Sequence, residues 1–441
     1  MSAPVIAIIG RPNVGKSSLF NALHGERISI VDDTPGVTRD RVYARATWRE
    51  REFVMIDTGG IEPDSDDEIL KGMRAQAQVA IDTADVIVFI CDLKTGLTAA
   101  DEEIAVILRK SRRPVLLCVN KSDQVGEPPP QMYEFYNLGL GEVYPISAAH
   151  RLGIGELLDA VYDLMPPEAE PGNEESAIRV ALIGKPNAGK SSLSNKMIGQ
   201  DRSIVSSIPG TTRDAIDSRI ENEFGSFTVI DTAGLRKKGR IDSSIEKYSM
   251  LRSLAAIERA DVCVILIDAS EGVTEQDTKI AGYAHNAGKA SVFAVNKWDL
   301  IEKETGTLEA MRKELLERFS FMDYAPVVFL SAKTGQRVGT LFEKIVAAHG
   351  QSNRRLSTGM LNDLIAESVA MVPTPQDKGK SLKIYYATQV AVCPPQFVLF
   401  VNSKDLMHFS YMRYIENQLR KNFGFEGTPI RIYLREKTRD Q

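Results

Sequence analysis

The chain has 441 residues, 43% apolar and 26% charged, with a formal net charge of −5; this balance suits a globular protein of about three domains and excludes a disordered or fibrous chain. No apolar run approaches the roughly 18 residues a bilayer span needs, and the opening MSAPVIAIIGRPNVGK lacks the basic start and cleavage site of a signal peptide, so no membrane partner is expected. Cys91, Cys118, Cys263 and Cys393 stand far apart, which gives no disulfide framework or metal cluster and points to a reducing, cytoplasmic setting.

The first predicted element is a strand, VIAIIG, that runs into GRPNVGKSSL at residue 10. Its pattern, G-x-x-x-x-G-K-[ST] between a strand and a helix, is that of a phosphate cradle. Gly10 and Gly15 let the backbone turn its N–H groups inward, Lys16 reaches the outer phosphates, and Ser17 and Ser18 open a helix whose N-terminus adds partial positive charge. Ser17 is the expected magnesium ligand of the loop. TPGVTRD follows from residue 34, then a strand ending in IDTGG, the strand VIVFICD, a helix over 101–110, and the strand VLLCVN, which ends in NKSD at 120. Ser147-Ala148 closes the series. PPEAEPGNEES at 166–176, rich in proline and acid and without apolar periodicity, reads as a linker.

The same elements then come again. The strand RVALIG runs into GKPNAGKSSL, so Gly184, Asn187, Gly189, Lys190, Ser191 and Ser192 take the places of Gly10, Asn13, Gly15, Lys16, Ser17 and Ser18. The phosphate-loop, TRD and DxxG motifs recur at an offset of 174 residues, NKxD at 176, and the Ser-Ala pair, as Ser331-Ala332, at 184. The differences fall between motifs, where loops tolerate insertion. Apolar strands alternating with helices predict an α/β fold in each copy: a mostly parallel sheet covered on both faces, with the motifs on loops at the strands' C-terminal ends.

A phosphate loop alone would suit a kinase or an ATPase. The NKxD motifs favour guanine, because Asp123 and Asp299 can accept hydrogen bonds from its ring N–H and exocyclic amine, whereas adenine would leave the carboxylate without a partner. Asn120, Lys121, Asn296 and Lys297 would frame the base, and the backbone at Ser147-Ala148 and Ser331-Ala332 would meet its carbonyl. Asp57 and Asp231, at strand ends, are placed to hold Mg²⁺ through water, and the N–H of Gly60 or Gly234 to meet the γ-phosphate. Thr38 and Thr212 would close on the metal only when the third phosphate is present. After each DxxG stands Ile61 or Leu235, and an apolar side chain cannot align water, so hydrolysis is expected to be slow or to draw on another source of charge stabilisation. Asn13 and Asn187 offer a carbonyl oxygen to a monovalent cation such as potassium, or simply brace the loop; the residues leave both readings open.

After about residue 351 the repeat ends. Met360, Leu361, Leu364, Ile365 and Val369 have helical spacing, LKIYYATQVAVC and QFVLFVN read as strands, SKDLMHFSYMRYIENQLRKNFG as an amphipathic helix stopped by Gly424, and TPIRIYLRE as a last strand. The order α-β-β-α-β predicts a small α+β domain. Residues 354–441 hold 13 Lys/Arg against 8 Asp/Glu, leaving 41 against 51 for the rest, so the basic charge gathers at the C-terminus and suits contact with RNA phosphates. GFEG at 424–427 spells a GxxG loop but stands between a helix and a strand, not between two helices, and Gly424 reads as a helix cap.

Taken together, GRPNVGKS with GKPNAGKS, TPGVTRD with IPGTTRD, DTGG with DTAG, and NKSD with NKWD, followed by a short C-terminal module, resemble the bacterial Der (EngA) GTPases over essentially the whole chain. The resemblance implies a GTPase of large-subunit ribosome assembly that contacts ribosomal RNA, uses GTP, GDP and Mg²⁺, is stimulated by potassium, and carries a KH-like C-terminal domain. The corresponding boundaries are 1–165 and 178–350 for two GTPase domains, 166–177 for the linker and 351–441 for the KH-like domain; a monomer with no DNA partner is expected. The copies differ in the segments after DxxG, IEPDSDDEILKG in the first and LRKKGRID in the second. Opposite charge there suggests docking of the acidic segment on the basic module, with ordinary solvated loops as the alternative. A scaffold in which only one copy turns over also remains open.

Overall fold

Strand β1 (Val5–Ile9) is buried at every residue, which is what an uninterrupted apolar run predicts for a strand covered on both faces. The computed structural model describes residues 3–24, 43–57, 66–111, 113–123, 129–167, 177–199, 217–230, 245–302, 304–377 and 379–436. Thr38, Gly60, Thr212, Asp231 and Gly234 lie outside the described residues, as do the side chains of Asp57 and of the two charged segments after DxxG. The chain divides into two compact units, 1–174 with 239–259 and 175–238 with 260–441.

In the first unit, β1 leads through the phosphate loop into α1 (Lys16–His24). The hairpin β2 (Tyr43–Trp48) and β3 (Arg51–Asp57) follows, then α2 (Asp66–Thr83), β4 (Val86–Asp92), α3 (Ala99–Ser111), β5 (Val115–Asn120), β6 (Val143–Pro145) and α4 (Ile154–Leu164). The sheet order is β2-β3-β1-β4-β5-β6, and every pairing is parallel except β2 with β3. Alternate residues feed opposite faces. Val5, Ala7 and Ile9 join Ala77 and Ile104 of α2 and α3, while Ile6 and Ile8 join Leu19 and Leu157 of α1 and α4. The antiparallel edge strand β2 turns into β3 at Arg49 and Glu50, both at positive φ (46° and 67°), a turn whose twist matches the flanking strands.

The second repeat has the same path: β7 (Ile178–Ile183), α5 (Lys190–Gly199), β8 (Ser218–Asn222), β9 (Gly225–Ile230), α6 (Ile245–Arg259), β10 (Val262–Asp268), α7 (Glu275–Asn286), β11 (Ala290–Asn296), α8 (Thr307–Arg318), β12 (Val327–Phe329) and α9 (Val338–Ser352). Its order, β12-β11-β10-β7-β9-β8, is that of the first sheet read from the other edge. Helix α6 packs within the first unit, where Ala255 joins the cluster of Met73 and Ala77 and Arg252 pairs with Asp82 at 2.7 Å.

The C-terminal segment forms α10 (Thr358–Met371), a short hairpin of β13 (Gln376–Asp377) and β14 (Lys380–Ser381), β15 (Ile384–Ala391), β16 (Gln396–Val401), α11 (Phe409–Phe423) and β17 (Arg431–Glu436). The expected α-β-β-α-β order is present, with the small hairpin added. β15 pairs antiparallel and β17 parallel with the central β16. Leu361, Leu364, Ile415 and Leu419 from the helices cover one face through Phe397, Leu399 and Val401. Gly424 caps α11 at φ 85°, its N–H bonded to Arg420 O. The rest of GFEG is used for packing inside the second unit: Phe425 N–H donates to Gln351 Oε1 at 2.9 Å, and Gly427 donates to Tyr324 O and accepts from Ser291 N–H, both at 2.7 Å.

Candidate nucleotide sites

Each phosphate loop is held in shape by backbone that only certain residues tolerate. Gly15 and Gly189 sit at φ 97° and 102°, and Asn13 and Asn187 at 63° and 65°, a left-handed region that asparagine enters more readily than other side-chain-bearing residues. A Cβ on Gly15 would overlap Asn120 Nδ2, and one on Gly189 would overlap Asn296 Nδ2; one on Gly10 or Gly184 would come within 2.4 or 2.6 Å of the carbonyl oxygen of Ile90 or Leu266. Val14 and Ala188 point into the core, 1% and 0% exposed, whereas Asn13 and Asn187 are exposed.

Lys16 Nζ donates to Gly10 O at 2.9 Å and Arg11 O at 2.6 Å; Lys190 Nζ donates to Gly184 O at 2.6 Å and Lys185 O at 2.7 Å. Each lysine thus arches over its own loop. Burial lowers the Lys190 ammonium to about 8, partly countered by the charge of Asp277. Ser17 with Ser18, and Ser191 with Ser192, lie in the first turns of α1 and α5. Neither first turn has an acidic residue, so the helix ends keep their partial positive charge for an anion.

The base side is tied to the phosphate side by one buried amide in each copy. Asn120 Oδ1 accepts from Ala148 N–H at 2.9 Å and its Nδ2 donates to Val14 O at 2.8 Å. Asn296 does the same with Ala332 N–H and Ala188 O, both at 2.9 Å. Both ends of each amide are therefore engaged in the protein. Lys121 and Lys297 leave the sheet at φ 66° and 62° and turn their ammonium groups onto Asp92 and Asp268. Burial opposes ionisation of those two carboxyls. Hydrogen bonds from Lys121, the Lys94 amide and Thr95 outweigh it at Asp92, as do those from Lys297 and Ser270 at Asp268, so both lie below the ordinary carboxylate range.

Asp123 is exposed. It accepts from Lys94 Nζ at 2.7 Å and Ser147 Oγ at 2.8 Å, and these two bonds, Lys94 first, hold its carboxyl below the usual range. Asp299 lies in a short 3-10 turn, Trp298–Leu300. At the place matching Lys94 the second copy has Ser270, which turns to Asp268 instead. The Ser147 and Ser331 loops are each closed by a bridge, to Leu152 and Gln336.

In each loop the basic residue after the first glycine makes ion pairs that were not foreseen from the sequence. Arg11 Nε bonds both oxygens of Asp101 at 2.9 and 3.0 Å, and Lys185 meets Glu271 at 2.8 Å and Asp277 at 3.6 Å. Asp101 and Asp277 in turn accept from the hydroxyls of Thr98 and Thr274 at 2.7 Å. The legible signal was the offset: Asp92 and Asp268, Asp101 and Asp277, and Thr98 and Thr274 all recur at the same 176 residues as NKxD.

A base loop and a phosphate loop fastened to each other through one amide, and built twice, define the chain as a tandem P-loop GTPase. The family described as "50S ribosome-binding GTPase" matches residues 5–121 and 179–297, and that described as "KH-domain-like of EngA bacterial GTPase enzymes, C-terminal" matches 355–435. The GTPase Der of Ruminiclostridium cellulolyticum is 61% identical over 440 residues, covering 100% of both chains; that of Acetivibrio thermocellus is 60% identical with the same coverage. Among solved structures, the FeoB G-domain from Methanococcus jannaschii is 28% identical, covering 37% of this chain and 98% of its own at TM-score 0.27. Era in complex with MgGDPNP and a segment of 16S ribosomal RNA is 25% identical, covering 59% and 88% at TM-score 0.31. The chain belongs to the Der (EngA) family of GTPases: it hydrolyses GTP to GDP and phosphate, with Mg²⁺ as the metal of that chemistry.

Proposed function

We propose that this chain is a slow, potassium-stimulated GTP switch in assembly of the large ribosomal subunit, in which nucleotide state governs domain arrangement and contact with ribosomal RNA. The observation that carries the reading is the doubled site followed by a basic KH-like domain, in a chain matched by a family described as ribosome-binding. The domains are taken as 1–165, 178–350 and 351–441, joined by the acidic linker 166–177, and the protein as a cytoplasmic monomer.

The roles follow from the chemistry of each side chain. Asp123 and Asp299 select guanine. Lys16 and Lys190 neutralise the outer phosphates within reach of the N–H groups of Gly15, Gly189 and the helix starts. Bound Mg²⁺ supplies charge neutralisation between the phosphates, and Ser17, Thr38 and Asp57, or Ser191, Thr212 and Asp231, are the residues that would hold it. Gly60 and Gly234 sense the third phosphate. Asn13 and Asn187, exposed on their loops, are the residues whose amide oxygen would hold a potassium ion, and that ion would supply positive charge to the transition state where other systems use an arginine. The acidic segment after the first DxxG docks on basic surface when its nucleotide state allows, which makes RNA contact conditional.

Sedimentation with ribosomal particles under GDP and under a non-hydrolysable GTP analogue tests the switch. The expected result is association with large-subunit particles in one nucleotide state; equal recovery in both would remove nucleotide control. Turnover in potassium against sodium tests the cation, and equal rates would discard it.

A further inference from the structure

The three-stranded sheet of the C-terminal domain has one face covered by α10 and α11 and one face bare of them. Strand register places two cross-strand rows on that second face: Tyr386, Phe400 and Arg435, then Thr388, Val398 and Tyr433. These residues alternate with Ala387, Phe397 and Leu399, which are 0%, 0% and 1% exposed on the helix side. Tyr386 and Tyr433 stand 42% and 44% exposed, and Arg435 is exposed as well. Tyr386 lies flat on Phe400, ring centroids 4.1 Å apart and planes 12° from parallel. Phe400 beneath Tyr386 is half-buried and Val398 between the rows is 8% exposed, and Arg431 at the far end of this face is bonded to Asn286 O; the exposed rings are therefore Tyr386 and Tyr433, and two tyrosines presented side by side on a strand face need a reason.

We infer that this face is a stacking platform for single-stranded RNA. The inference rests on the RNA-contacting reading above and names the surface that makes the contact. Flat aromatic side chains on a sheet accept unstacked bases whatever their identity, because every base has a π-face. Thr388 and Gln396, half-buried on the same face, offer hydrogen bonds to base edges, and Arg435 offers a cation to the backbone or to a ring. Charge favours RNA over a protein partner, since the segment 354–441 has 13 basic against 8 acidic residues in a chain that is otherwise acidic. The GFEG segment is occupied by its bonds to Gln351, Tyr324 and Ser291, so it does not supply the backbone clamp of a GxxG loop, and the sheet face takes over the contact.

The test is fluorescence anisotropy of the full chain with a labelled 12-nucleotide single-stranded RNA of mixed sequence, alongside sedimentation with ribosomal particles. Tyr433→Ala and Tyr386→Ala should each weaken oligonucleotide binding about 5- to 100-fold, Tyr433→Phe should retain it, and Arg435→Ala should reduce the slope of log affinity against log salt by about 0.7. GTP turnover should be unchanged in all four and melting unchanged in Tyr433→Phe and Arg435→Ala; Tyr386→Ala gives up its stacking on Phe400 and should melt slightly lower while staying folded at the assay temperature, which separates loss of contact from loss of fold. If the wild-type chain binds the RNA and Tyr386→Ala and Tyr433→Ala bind it equally well, the platform is overturned while RNA contact elsewhere stands. If the tyrosine variants keep the oligonucleotide and lose only the ribosomal particles, the face is a protein-docking surface and the inference fails. If the wild type binds neither probe, the RNA-contacting reading falls with it.

Discussion

The amide of Asn296 is 2% exposed and holds the phosphate loop to the base loop with two bonds of 2.9 Å, one to Ala188 O and one from Ala332 N–H. Replacing it by alanine removes both bonds and strands a carbonyl and an amide where Ala188 is 0% and Ala332 5% exposed. A buried backbone group left without a partner costs about 1–3 kcal/mol, so Asn296→Ala is expected to cost about 2–6 kcal/mol, shared between folding and nucleotide affinity. The lower end alone, if it falls on binding, weakens GDP affinity about 30-fold. Asn296→Asp sharpens the test: the carboxylate can still accept from Ala332 N–H but sets a negative oxygen against Ala188 O, so it should be at least as damaging as alanine. Calorimetric titration with GDP reads both, and Asn120→Ala serves as the matched lesion in the first copy. Each single variant should lose one of two binding events at micromolar nucleotide while keeping the other. Affinity within twofold of wild type at the altered site, with unchanged melting, would refute the bracing argument.

Other consequences are accessible to standard measurements. Lys190 has its ammonium lowered to about 8 by burial, and incoming phosphate favours the charged form; binding at pH 8.5 should therefore take up a proton, and affinity should fall as pH rises above 8. Titration heats that do not depend on buffer ionisation enthalpy at that pH would contradict this. His285, lowered to about 4 by burial and by the charges of Arg431 and Arg420, is held neutral in the folded chain while an unfolded histidine titrates near 6.5. Its depressed value makes stability fall as pH drops from about 6.5 to 4, by up to about 3 kcal/mol; His285→Gln should flatten that part of the pH–melting curve, and an unaltered slope would count against the assignment. Gly427 sits at φ 80°, and a Cβ there would lie 2.5 Å from Ala348 Cβ. Gly427→Ala should cost about 2–5 kcal/mol through strain and overpacking, lowering the melting of the second unit while leaving GDP binding at the first site intact; unchanged melting would refute the close approach.

The motifs were legible because each is a short run whose chemistry is local: glycines where the chain bends, a lysine and serine at a helix start, a carboxylate after an apolar strand. The parallel strands were legible for a related reason, since burial on both faces demands unbroken apolar runs such as VIAII and VIVFICD. The edge strands β2 and β8 were not, because an edge has one neighbour and a mixed sequence such as YARATW satisfies it as well as it would a loop. Pairings between distant segments were equally hidden: Arg11 finds Asp101 ninety positions away, and Asn120 meets Val14 O across 106, contacts that exist only once the sheet has brought loop ends together. By itself the amino-acid order determined a duplicated α/β chain with two phosphate loops and two guanine-type motifs. Only the tertiary structure decided that the NKxD asparagines brace one loop against another, that GFEG is a packing element, and that aromatic rings line an open sheet face, because each depends on register and close packing between residues that are remote along the chain.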